Sequence, residues 1–93
     1  MSNMIGAYVV VRTYSAGVHT GVLASKKGKL VTLIDSRRIW SWTEANTCSE
    51  IANHGVGSTS KVAEVIQEID LTEAIEVIRC TAKAEANLRA AKW

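Results

Sequence analysis

The strongest chemical signal in this 93-residue chain is Arg37-Arg38-Ile39-Trp40-Ser41-Trp42, two adjacent arginines followed by alternating tryptophans. Guanidinium groups bind phosphates and carboxylates through paired hydrogen bonds, and indole and phenol rings stack on planar bases. Arg37, Arg38, Trp40, Trp42 and Tyr14 therefore suit a pocket for a nucleotide-like anion. The competing reading makes both tryptophans core residues and the arginines a solvated turn. His19 stands between Gly17 and Gly21, where a ligand or another backbone can approach closely, and it can donate a hydrogen bond to an anion. Its simpler reading is an exposed strand residue.

Other chemistries find little support. Cys48, His54, Cys80 and His19 are scattered, with no CxxC or HxxxH spacing to put two ligands on one element, so no metal site is expected. No nucleophile-elbow pattern accompanies a serine and a histidine, and no Lys-Ser or Lys-Thr opens a helix after Gly55 and Gly57 as a phosphate loop requires. The acids Glu64, Glu68, Asp70, Glu73 and Glu76 alternate with apolar residues and form a solvent face. The expectation is a non-enzymatic protein with no catalytic residue and no cofactor.

These residues must be positioned by a single domain, residues 1–93, because the chain is long enough for one core and too short for two. It is 47% hydrophobic and 22% charged, with formal net charge +2. Residues 1–43 carry +5 and residues 44–93 carry −3, so a basic face can attract anions while an acidic region meets the basic face of another copy. A homo-oligomer is expected. No apolar run approaches the ~20 residues of a membrane helix, and the start MSNMIGAYVVV lacks the basic flank and cleavage site of a signal peptide. The expected setting is the cytosol, where Cys48 and Cys80 stay reduced as small buried hydrophobes.

The elements follow from composition and period. Residues 7–15, rich in β-branched side chains, read as a strand ending in a Ser15-Ala16-Gly17 turn. Residues 18–24 and 30–35 flank a lysine-rich hairpin tip at Gly28, and 37–42 read as a fourth strand with Trp40 and Trp42 on one face. Thr47 with Glu50 is a capping box for a short helix that buries Cys48, Ile51 and Ala52 and ends at Gly55. Residues 55–60 form a loop. Residues 61–70 fit either a helical stripe or a strand, the strand being preferred for its β-branching. Residues 71–80 are a firmer strand with Leu71, Ile75 and Val77 inward, and Thr81 caps a final Ala-rich helix that Trp93 staples to the sheet.

This pattern predicts an α+β, mainly β fold: a strongly bent antiparallel sheet or a small SH3-like or Sm-like barrel, with a short middle helix and a C-terminal helix. Gly17 and Gly21 mark where the sheet bends. The bent hairpin GVLASKKGKLVTLIDSRR, followed later by VIRC, resembles the two halves of an Sm-like fold. It lacks that fold's asparagine, and Cys80 stands in place of its glycine.

Across YVVVRTYSAGVHTGVL, RRIWSW with ANTCSEIANHGVG, and LTEAIEVIRCTAKAEANLRAAKW, the chain resembles an uncharacterised family of small proteins of tailed phages and prophages of proteobacteria. That resemblance implies a phage product in the host bacterial cytoplasm, where small proteins of this kind block host defence or redirect host machinery. The function expected is sequestration of a nucleotide-like anion as counter-defence, with Arg37, Arg38, Tyr14, His19, Trp40 and Trp42 at the ligand. The alternatives are an inhibitor that docks on a host or defence protein, and a single-stranded nucleic-acid binder.

Overall fold

The computed structural model describes residues 4–41 and 47–91. Trp42 and Trp93 lie outside them, and with them the expected Trp42 face and the Trp93 staple. Six strands and two helices form: β1 (Tyr8–Thr13), β2 (Val18–Lys27), β3 (Leu30–Ser41), α1 (Cys48–His54), β4 (Lys61–Val62), β5 (Ile66–Leu71), β6 (Ala74–Arg79) and α2 (Ala82–Ala90). The antiparallel sheet runs β4-β3-β2-β1-β6, and β5 pairs with the first half of β3. The predicted α+β, mainly β class is the one adopted, as a bent sheet and not a closed barrel, since β5 and β6 do not pair with each other.

The sheet buries both faces. On one, Val9, Val11, Leu23, Val31, Leu33, Leu71 and Ala74 meet inside the curl. On the other, Tyr8, Val10, Val18, Ile39 and Val62 pack against Cys48, Ile51 and Ala52 of α1 and Leu88 of α2. Both strand faces are therefore apolar in β1, which explains its unbroken Val9-Val10-Val11 run. The helices start where their caps dictate: Thr47 Oγ1 accepts from Glu50 N at 3.3 Å, and Thr81 Oγ1 accepts from Ala84 N at 3.1 Å. Each cap satisfies one orphan donor of a first turn.

The two predicted strands 30–35 and 37–42 are one strand with a bulge. Thr20 pairs with Arg37 and Val22 with Ile34, so two residues of β3, Asp35 and Ser36, oppose Gly21 alone. Asp35 takes φ +49°, which short polar side chains tolerate best after glycine. The bulge shifts the alternation: Leu33 faces the inside of the curl, whereas Ile39, of the same parity, faces the helices. Gly21 eases the bulge's close approach, because a Cβ would press on Ile34 O and Ser36 Cα, each at 3.0 Å. A second bulge corrects the reading of Ile75. Arg12 pairs with Glu76 but Thr13 with Ala74, so Ile75 is the extra residue and is pushed out to 52% exposure instead of inward.

Residues 61–70 adopt the preferred extended reading in two pieces, β4 and β5. Between them Ala63 N donates to Arg38 O at 2.8 Å, which carries the chain from the far half of β3 to its near half.

Candidate functional site

The arginine–tryptophan segment is divided by the strand it lies on. Arg37 is 5% exposed. Its Nε donates to Ala63 O at 2.7 Å, its Nη1 to Leu88 O at 2.8 Å and Arg89 O at 3.3 Å, and its Nη2 to Val62 O at 3.4 Å. One guanidinium thus holds the last turn of α2 against β4 and satisfies carbonyls that the helix end leaves open. Arg38 and Trp40 are exposed, Trp40 to 61%. The competing expectation of core tryptophans and solvated arginines is therefore reversed for Trp40 and Arg37.

His19 is 1% exposed, which corrects its reading as an exposed strand residue. Its ring lies on the face opposite Thr20, and its Nε2 is 2.9 Å from Ala16 O, a carbonyl that takes the proton of the neutral imidazole. Burial lowers its pKa, the Ala16 carbonyl opposes that, and the Arg38 charge adds to the lowering. The unfolded chain protonates His19 near pH ~6.5 while the folded chain resists, so stability should fall as pH drops below ~6.5, by up to ~1.4 kcal/mol per pH unit. Urea denaturation from pH 7 to 5 should show this slope in the native protein and a flatter one in His19→Gln. Equal slopes would refute it.

Tyr14 goes elsewhere. It is 79% exposed in the β1–β2 turn, and its backbone N donates to Glu73 O at 3.0 Å. The same turn is braced by Thr13, whose Oγ1 donates to Gly17 O at 2.7 Å and accepts from Ala16 N at 2.9 Å, with Gly17 at φ +88°. The long β2–β3 hairpin curls until Lys29 O accepts from Ala74 N at 3.1 Å. Three turns distant in sequence therefore converge: Tyr14–Gly17, Gly28–Lys29 and Thr72–Glu73.

Between them lies a groove of about 700 Å³ lined by Tyr14, Lys26, Lys29, Glu73, Ile75 and Val77. That volume falls within the ~300–1,000 Å³ of small-molecule sites. Tyr14 and the bulged-out Ile75 supply flat and apolar surface, and Lys26 and Lys29 supply positive charge. Glu73, which accepts from the Ser15 hydroxyl, sets a polar limit on one side. The lysines are legible in the sequence only as an exposed hairpin tip. What makes them a site is the curl that brings the tip to Tyr14.

Neither cysteine offers a nucleophile at neutral pH. Burial pushes the Cys80 thiol up to about 12 and raises that of Cys48 as well, and the nucleophilic form is the thiolate. Among the described residues no three His, Cys, Asp or Glu side chains gather as a metal site, and no helix is long and apolar enough to cross a membrane.

A protein-family model matches residues 6–88, and its description is "Domain of unknown function (DUF6948)". No curated protein and no solved structure matches the chain.

Proposed function

Since the chain belongs to the DUF6948 family, whose description carries no activity, we propose its function from the groove: a non-enzymatic protein that binds a nucleotide-like anionic ligand. The observation that carries this reading is the exposed ring of Tyr14, fixed by its backbone beside Lys26 and Lys29 in a groove of ligand size. A base stacks on the phenol and the lysines meet its phosphates. Of the residues singled out in the sequence, Tyr14 stays at the ligand, and Lys26 and Lys29 take the phosphate role first given to Arg37 and Arg38. With the resemblance to phage-encoded small proteins, the reading extends to sequestration of a nucleotide signal in the host cytoplasm.

The test is thermal unfolding with a panel of mono-, di- and cyclic nucleotides. A ligand that binds only the folded state stabilises it by ~2.7 kcal/mol at a hundredfold excess over Kd. Tyr14→Ala should weaken that nucleotide about tenfold, as the loss of one stacked base contact implies, without lowering the melting temperature of the free protein. Lys26→Ala with Lys29→Ala should flatten the salt dependence. Absence of stabilisation by every nucleotide would refute the reading.

Trp40 favours a second reading. A tryptophan 61% exposed on β3 is an anchor of the kind that dominates protein interfaces, and it suits an inhibitor of a host or defence protein. Capture of one such protein by the native chain but not by Trp40→Ala would favour this reading over the first.

A further inference from the structure

On the helix-bearing face, away from the groove, a cavity of about 130 Å³ is lined by Tyr8, Asp35, Arg37, Val65 and Arg89. Tyr8 is 4% exposed, and its hydroxyl is buried without a hydrogen-bond partner among the described residues. The Thr20 side chain lies close enough to lower the phenol's pKa against the larger, opposing effect of burial, but the two hydroxyls do not meet in hydrogen-bond geometry, and the Thr20 proton goes to Val9 O at 2.9 Å. An orphan buried hydroxyl is rare enough in folded proteins to call for an explanation. Two cationic side chains line the same cavity. The Arg89 guanidinium lies 4.6 Å from the centroid of the Tyr8 ring, and Arg37 lines the same cavity. Arg89 is paired with Glu85 at 2.8 Å, whereas Arg37 meets only carbonyl oxygens and no carboxylate among the described residues.

We propose that this cavity binds one small oxyanion, with the chemistry of phosphate or sulfate, held by the Tyr8 hydroxyl and the guanidinium groups of Arg37 and Arg89. Its size selects the ligand. At about 130 Å³ the cavity has room for one tetrahedral anion and lies well below the ~300 Å³ where organic-ligand sites begin. An oxyanion accepts the orphan hydroxyl proton and sets a negative charge beside a buried guanidinium that makes no hydrogen bond to a carboxylate among the described residues. Asp35 lines the cavity as well, and its carboxylate repels such a guest, so it limits the affinity.

The experiment compares the melting temperature in sodium phosphate, in sodium sulfate and in sodium chloride of equal ionic strength, followed by titration calorimetry with inorganic phosphate. Phosphate should raise the melting temperature beyond the chloride control. Tyr8→Phe keeps the ring and removes only an unpartnered hydroxyl, so it should fold as well as the native chain and bind phosphate at least tenfold more weakly. Asp35→Asn, which suits the same left-handed backbone, should bind phosphate more tightly. Lys26→Ala should bind it as the native chain does, which separates this site from the groove. Adenosine monophosphate distinguishes a free anion from the phosphate of a larger molecule: an effect that survives Tyr14→Ala but not Tyr8→Phe assigns its phosphate to the cavity. Equal effects of phosphate and chloride on the native chain, or an unchanged response in Tyr8→Phe, would overturn the proposal.

Discussion

Arg37→Ala should destabilise the protein by about 3 kcal/mol or more, a large part of the ~5–15 kcal/mol that holds a domain of this kind together. The substitution strips four carbonyls, those of Val62, Ala63, Leu88 and Arg89, of their shared donor. Those carbonyls belong to two segments, β4 with the residue after it and the end of α2, that are bridged by this one side chain. Hydrogen bonds from a charged donor contribute ~1.5–3 kcal/mol each, and partial access of water to the helix end recovers some of that sum. Arg37→Lys should restore little, because a single ammonium on a flexible stem cannot reproduce a rigid fork aimed at both segments. Urea denaturation checks this, with the midpoint falling and the slope unchanged. A loss below ~1 kcal/mol would mean that the guanidinium is replaceable by water, and Arg37 would return to the role of a ligand residue alone.

Gly55→Ala should cost about 3 kcal/mol for two reasons that add. Gly55 ends α1 at φ 84° and ψ −159°, a region that is essentially glycine's own and costs other residues ~1–3 kcal/mol. Its missing Cβ is also the space occupied by the Asn87 amide. Asn87 accepts from Val56 N at 2.8 Å and donates to Val56 O at 3.0 Å, tying the exit of α1 to α2. A methyl group at position 55 displaces that clamp, at ~1 kcal/mol per lost hydrogen bond. Asn87→Ala removes the obstacle along with the clamp, so the double variant Gly55→Ala with Asn87→Ala should be less destabilised than the two single losses predict. Strict additivity in the denaturation midpoints would show that the clash plays no part.

The elements themselves were legible because their causes are local. The β-branched run of β1, the Thr47 and Thr81 caps, the inward Cys48, Ile51 and Ala52 and the glycine exit at Gly55 depend on neighbours within a turn or a strand. The same holds for the extended preference of residues 61–70, where β-branching prevailed over a helical stripe of equal spacing. Strand alternation failed as a guide where the register shifts, most plainly at Asp35 and Ile75. A bulge adds one residue and so inverts every inward and outward assignment beyond it, and nothing in the alternation announces it.

That inversion also separates the candidate site residues. By itself the sequence determined a mainly β domain with two capped helices, a basic first half, and a short set of side chains able to meet an anionic aromatic ligand. Only the tertiary structure decided that Arg37 is buried against carbonyls while Trp40 faces solvent, and that Tyr14 is joined by Lys26 and Lys29. The physical reason is range. Propensity and capping act over a few residues, whereas the curl of the sheet sums the twists and bulges of strands paired far along the chain, and the groove exists only where that sum brings three turns together.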